Sequence, residues 1–159
     1  MDETLDTLAE AAVKIAEAAG REILSIYAAD FDVETKADDS PLTAADRAAH
    51  TRINDALTSK TPDIPVISEE GGIPDADIRR QWTRYWLVDP LDGTREFVKR
   101  NGEFTVNIAL IDHGRPVIGV VHAPVLSRTY VGVQSLQSAR AERRDTNGTT
   151  PLATRAVPD

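Results

Sequence analysis

Cysteine is absent from the 159 residues, which excludes a disulfide framework and a thiolate metal site and suits a reducing compartment. Long apolar runs are absent as well. No stretch approaches the roughly 18 residues of a membrane span, and residues 1–8 lack the basic flank and apolar run of a signal peptide. A soluble chain in the cytoplasm is therefore expected. Positive charge is in deficit: 18 basic residues face 26 acidic ones, for a net charge of −8. That balance argues against a broad basic face coating nucleic acid or an anionic membrane, and admits a small anionic substrate only where cations mediate. Histidine is scarce, and His50, His113 and His122 lack the close spacing of a metal-binding pair, so they read as structural or solvent-exposed.

What is present suffices for one core. Apolar residues make up 41% of the chain, and a single domain is expected. Leu5, Leu8, Ala12, Ile15, Ala19, Ile23 and Ile26 recur at three- and four-residue steps, which predicts a long amphipathic helix over residues 4–27. A polar segment follows, and Thr43 then opens a second helix with Ala48, Ile53 and Leu57 inward, ending before Pro62. Residues 64–68 and 85–88 are short apolar runs that read as buried strands, each ending in carboxylates. Residues 104–111 and 116–122, joined by His113-Gly114-Arg115, read as a hairpin, with residues 128–133 a third antiparallel strand. After Gln134 the chain turns polar without a clear period, which leaves a frayed strand pair and a disordered tail as alternatives. Helices flanking a mixed or antiparallel sheet make the fold α+β or layered α/β.

Two strand ends carry the chemistry: Ser68-Glu69-Glu70-Gly71-Gly72 and Asp89-Pro90-Leu91-Asp92-Gly93-Thr94. Carboxylates gathered at neighbouring strand ends repel one another unless a cation neutralises them, and an oxygen-rich set without His or Cys suits Mg²⁺. Asp89 and Asp92 flank Pro90-Leu91, whose fixed proline φ helps turn both carboxylates toward one point, with the Leu91 carbonyl a further ligand. Either motif alone is also an ordinary turn former. Gly93 and Thr94 lead into residues 95–98, a helical turn whose free N–H groups suit a phosphate. Thr43 and Asp46 fit a capping box; the functional alternative has Asp46 accepting a hydrogen bond from Thr94, whose hydroxyl then orients a metal-bound water. Trp82 and Trp86 read as core or rim packing, and Arg79-Arg80 and Arg143-Arg144 as solvated faces. Lys99-Arg100 follows the phosphate turn and is a candidate for a second phosphate.

Lys36-Ala-Asp-Asp-Ser-Pro-Leu-Thr-Ala-Ala-Asp46, Ser68-Glu69-Glu70, Tyr85-Trp-Leu-Val-Asp-Pro-Leu-Asp-Gly-Thr94 and Phe97-Val-Lys-Arg-Asn-Gly-Glu-Phe-Thr-Val-Asn-Ile108 resemble the bacterial 3′(2′),5′-bisphosphate nucleotidases of the inositol monophosphatase superfamily. The resemblance implies the N-terminal half of an inositol monophosphatase-like sugar phosphatase fold, with helices flanking a mostly antiparallel sheet. It divides the chain into an incomplete metal- and phosphate-binding domain, 1–133, and a polar tail, 134–159, that opens the family's second half. Glu69, Asp89 and the Leu91 carbonyl are implied to bind one Mg²⁺, and Asp89 with Asp92 a second, two or three ions in all. Glu69, Leu91, Asp92, Gly93 and Thr94 border the phosphate, the last two through their amides. Asp46 and Thr94 form the water-activating pair, and Lys36 and Glu70 stand just behind or beside the substrate.

The implied reaction is hydrolysis of the 3′-phosphate of adenosine 3′,5′-bisphosphate to AMP and phosphate, in sulfur assimilation. The implied setting is the cytoplasm, with peripheral contact at the inner membrane also within the family's range. Inositol monophosphatase and sugar-bisphosphate phosphatase activities share these ligands. The family's second half supplies a further ligating aspartate in a Trp-Asp motif, which has no counterpart after Val133. Impaired turnover is therefore expected, and a catalytically silent metal- or phosphate-binding fragment is the reading from another class. Nothing in the residues sets the oligomeric state.

Overall fold

A computed structural model describes residues 4–29 and 41–155, with side chains from residue 44 onward in the second stretch. Two long helices lie against one face of a seven-stranded sheet whose strands follow one another in chain order. Helix α1, Leu5–Tyr27, begins where the Thr4 side chain accepts a hydrogen bond from the Thr7 amide at 3.2 Å. It buries Leu8, Ala12, Ile15, Ala19 and Ile23, as its period predicts, while Leu5 and Ile26 pack at the margin. Helix α2, Pro41–Lys60, buries Ala45, Ala49, Ile53 and Leu57, a strict four-residue ladder. The inward alanine is thus Ala49, not the expected Ala48.

The start of α2 also corrects the expected cap. The helix opens at Pro41, where a missing N–H costs nothing and φ is already helical, so Thr43 is an interior residue of the first turn. Its side chain lies outside the described residues, as does Lys36.

Strands β1, Val66–Ser68, and β2, Arg84–Asp92, pair in parallel; the chain between them forms a single 3₁₀ turn, Glu69–Gly71, and a short helix α3, Ala76–Arg79. From β2 onward every pairing is antiparallel: β3 is Thr105–Asp112, β4 Arg115–Ala123 and β5 Arg128–Gln134, and helix α4, Thr94–Lys99, links β2 to β3. Of the two outcomes left open after Gln134, the strand pair is the one formed. Strands β6, Ala139–Asp145, and β7, Gly148–Pro151, continue the same sheet across the expected boundary at Val133.

Their attachment shows why Arg144 is no solvated ornament. Its guanidinium forks onto the Glu10 carboxylate of α1 and meets Glu142 at 2.5 Å, while Arg140 reaches Asp6 at 2.8 Å. Polar β6 is therefore held to α1 by ion pairs rather than by apolar burial. The Arg144 hydrogen bond, opposed by burial, holds Glu10 below the usual carboxylate range. A depressed carboxylate stabilises the fold above its unfolded pKa and loses that contribution as pH falls, so acidification should loosen β6 first. Because the pair is partly exposed, Arg144→Met should cost only about 1 kcal/mol, read as a melting point lower by a few degrees at neutral pH. The deficit should shrink in acid; an unchanged difference at pH 3 would refute the tie.

The core lies between the helices and one sheet face: Trp86 and Val88, then Val106, Ile108 and Leu110, then Ile118 and Val120, then Val131 and Val133. Trp86 is 1% exposed and donates its indole N–H to Thr61 at 3.0 Å, so it is core, as expected, whereas Trp82 sits near the rim beside Tyr85. The opposite parity, with Leu87, Val121 and Tyr130, stays in the open among the described residues. Among those residues, no helix is long and apolar enough to cross a membrane.

Candidate functional site

The acidic residues meet at one end of the sheet. Glu69 and Glu70 ride on the 3₁₀ turn that follows β1, Asp89 and Asp92 close β2, and Asp46 lies more than a turn inside α2, which packs against both strands. Side chains alternate along a strand, so residues three apart should face opposite ways. A bulge removes that difficulty: Asp89 stands opposite Asn107 and Asp92 opposite Thr105, three steps on β2 against two on β3. The extra residue in Pro90-Leu91 turns the second aspartate back to the face of the first. The expectation that Pro90-Leu91 aims both carboxylates together is met by this slip, with Leu91 itself buried beneath.

The next residue must be glycine. Gly93 has φ 96°, and a Cβ there would stand 2.9 Å from the Glu103 carbonyl. It opens α4, whose first turn has no side-chain cap. Below it Phe97 packs 5.1 Å from Tyr27 and 5.3 Å from Phe104, ring centre to ring centre, fixing α4 to α1 and β3. We expect Gly93→Ala to lower stability by about 1–3 kcal/mol through strain and collision together, measured by denaturant unfolding. A loss below a few tenths would show that the turn relaxes freely.

Electrostatics set these carboxylates apart from the other acids. Burial first, then the charges of Glu70, Glu69 and Asp89 and a carboxyl-to-carboxyl hydrogen bond with Glu70, push Asp46 up to about 7. Asp89 is pushed up to about 6 by burial, then by Glu69 and Asp92, against the lowering effect of the Leu91 amide. Its Oδ1 is buried without a hydrogen-bond partner. A buried, unpartnered carboxylate oxygen among like charges is what a hard cation relieves, and the donors are all oxygen, so the residues fit Mg²⁺. Among the described residues no three acidic or imidazole side chains yet encircle one point. Glu70 is the neighbouring charge that weighs most on Asp46, and Glu69 the one that weighs most on Asp89.

Among the described residues no hydrogen bond joins Asp46 to Thr94, and the charge weighing most on Asp46 is that of Glu70. Thr94, on the first residue of α4, stays exposed. Arg100 also departs from expectation. It donates to the Tyr27 and Ala29 carbonyls at 2.5 and 3.3 Å and lies 5.4 Å over the Tyr27 ring, so it braces the end of α1 rather than standing free for a second phosphate. Lys99 remains exposed.

Polar side chains given no part in the site by the sequence stand beside the acids. The Thr105 hydroxyl donates to Asn107, whose amide donates to Asp92 at 3.1 Å. His50 and Ser68 are 2.8 Å apart beside the 3₁₀ turn. Asn107 was visible as a polar residue on a strand, but only the register shows it facing Asp89.

The likeness to known proteins can be set beside this geometry. The inositol monophosphatase family description matches residues 4–156. The chain is 61% identical over 119 residues to the 3′(2′),5′-bisphosphate nucleotidase CysQ of Escherichia coli O157:H7, covering 74% of this chain and 48% of that protein. It is 56% identical over 127 residues to its Salmonella typhimurium counterpart, covering 79% and 51%. The chain thus spans about half the length of the curated relatives it matches. Among solved structures, CysQ from Bacteroides thetaiotaomicron superposes with a TM-score of 0.77 at 40% identity, over 96% of this chain and 60% of that one. An inositol monophosphatase from Zymomonas mobilis gives 0.75 at 31%, over 98% and 56%. With the match running from the cap of α1 past the last strand, and the helix-backed sheet shared with solved members, the chain belongs to the inositol monophosphatase family.

Proposed function

We propose that this chain carries the Mg²⁺- and phosphate-binding part of a phosphomonoesterase that removes the 3′-phosphate of adenosine 3′,5′-bisphosphate in the cytoplasm. The observation that carries the reading is the buried, unpartnered Asp89 Oδ1 inside a carboxylate cluster where burial and neighbouring charges raise Asp89 and Asp46. Likeness to the CysQ proteins supports the choice of substrate.

Glu69, Asp89 and the Leu91 carbonyl would hold one Mg²⁺, and Asp89 with Asp92 another; the ions supply positive charge for the phosphoryl oxygens and make water acidic. Gly93 and Thr94 offer uncapped amides to the phosphate, with Glu69, Leu91 and Asp92 at its border. Asp46 and Thr94 take the proton from the attacking water as its oxygen bonds to phosphorus. The bond from phosphorus to the 3′ oxygen breaks, and that oxygen takes a proton to leave as the hydroxyl of AMP. A carboxyl that exchanges its proton near neutrality suits this base role. Glu70 would stand behind Asp46, its charge among those that raise the Asp46 carboxyl, and Lys36 is assigned a place beside the substrate.

The test is phosphate release from adenosine 3′,5′-bisphosphate and from an inositol monophosphate. It would be run on the 159-residue chain and on the same chain continued with the second half of the Escherichia coli relative. We expect Mg²⁺-dependent release from the nucleotide by the longer protein, and release several orders of magnitude slower from the shorter one. Preference for the inositol ester would overturn the substrate, and Mg²⁺ binding without turnover in both would make the chain a binding module.

A further inference from the structure

Outside the acids themselves, the side chain in the most telling position is His50. It lies one turn beyond Asp46 on α2, and its ring is wedged against the turn that carries Glu69 and Glu70. At one end of that turn, His50 Nδ1 and the hydroxyl of Ser68 are joined at 2.8 Å, with Ser68 only 4% exposed. At the other end Gly71 lies so close that a Cβ there would stand 3.1 Å from His50 Cε1. The two glutamates, both exposed, are thus the middle of a four-residue span gripped at its ends by one imidazole. The 3₁₀ turn has no side-chain cap of its own, so nothing local fixes its orientation.

We propose that His50 is a positioning residue for metal binding: through Ser68 and Gly71 it sets where Glu69 and Glu70 stand relative to Asp46 on the same helix and to Asp89 on β2. The inference rests on the metal reading of the site. A ligand held by a single flexible carboxylate stem loses affinity when the backbone beneath it can turn, and the groups supporting a metal's ligands typically influence affinity by 10–100-fold. Gly71 belongs to the same device, since a Cβ there, 3.1 Å from His50 Cε1, would press the ring to shift by a few tenths of an ångström.

The experiment is calorimetric titration of Mg²⁺ into the 159-residue chain, with metal-free melting points measured alongside. His50→Ala and Ser68→Ala should each weaken Mg²⁺ binding roughly ten-fold, and the double variant should be no weaker than either, because both break one bond. His50→Asn should restore most of the affinity, since its amide nitrogen stands where Nδ1 stands. Ser68→Ala leaves the ring in place and keeps the comparison open should His50→Ala fail to fold. Affinities within two-fold of the parent, with only the melting point lowered, would make His50 a plain helix-to-sheet tie and overturn the inference alone. A parent chain that binds no Mg²⁺ would overturn the metal reading and this inference with it.

Discussion

Asp89→Asn is expected to raise the melting point of the metal-free chain and to abolish most of the gain that Mg²⁺ gives the parent. The two effects have opposite signs and one cause. Asp89 is held up to about 6 and Asp46 to about 7, so at pH 8 both are ionised against the pull of their surroundings. A carboxyl whose folded pKa is raised contributes stability that is fully present below its unfolded value and lost as pH climbs through the folded one. The metal-free parent should therefore lose stability between about pH 4 and pH 8, opposite to the acid-sensitive tie at Arg144. Removing the Asp89 charge removes part of that loss, and replaces an anionic carboxylate with a neutral amide that holds a hard cation far less well. Mg²⁺ at a hundred times its dissociation constant should stabilise the parent by about 2.7 kcal/mol. The measurement is thermal unfolding at pH 8 with and without Mg²⁺ for both proteins. A parent whose melting point ignores millimolar Mg²⁺ would sink the metal reading, and a variant that still responds would move the cation away from Asp89.

The second large effect is on rate. Asp46 sits well inside α2, so its loss leaves no helix end uncapped, and Asp46→Asn should not show the ~1 kcal/mol penalty of a missing cap. Relief of the crowding with Glu70 should leave the variant as stable as the parent or more so at pH 8. Turnover in the longer protein should nonetheless fall by roughly 10² or more, and Thr94→Ala should fall similarly, with the double variant little worse than either. Stability that rises while rate collapses marks a group kept for chemistry at a structural cost. Near-normal turnover in both single variants would remove Asp46 and Thr94 from the water-activating role.

Much of this was legible in the residues because local pattern and global fold agree. The period of α1 follows from one apolar face, the strands ending in Glu69 and Asp89 from short apolar runs meeting acids, and Trp86 as core from its place within such a run. What stayed hidden depends on neighbours distant in sequence. That Asp89 and Asp92 share a face follows from a slip against β3, which no count along β2 discloses. That polar β6 is a strand follows from acids on α1 that pair with Arg140 and Arg144. That Glu70 and Glu69 crowd Asp46 and raise its carboxyl follows from packing of α2 against the end of β1, which lies beyond any reading of the helix alone. His50 read as an ordinary histidine because its partner, Ser68, is eighteen residues away and one element over.

The sequential strand order has a consequence for how the chain folds. From β2 to β7 each strand lies beside its predecessor, so each pairing closes only a short loop and the meander can grow by successive hairpins. The parallel pairing of β1 with β2 must instead close the longer excursion through α3, and α2 must come back across both. Those slower closures are the ones that bring Asp46, Glu69 and Glu70 to Asp89. The carboxylates are therefore gathered only after most of the sheet exists, and their mutual repulsion burdens the last steps of folding rather than the first. A divalent cation present during refolding should then slow unfolding more than it speeds folding, since the group it binds is assembled beyond the transition state.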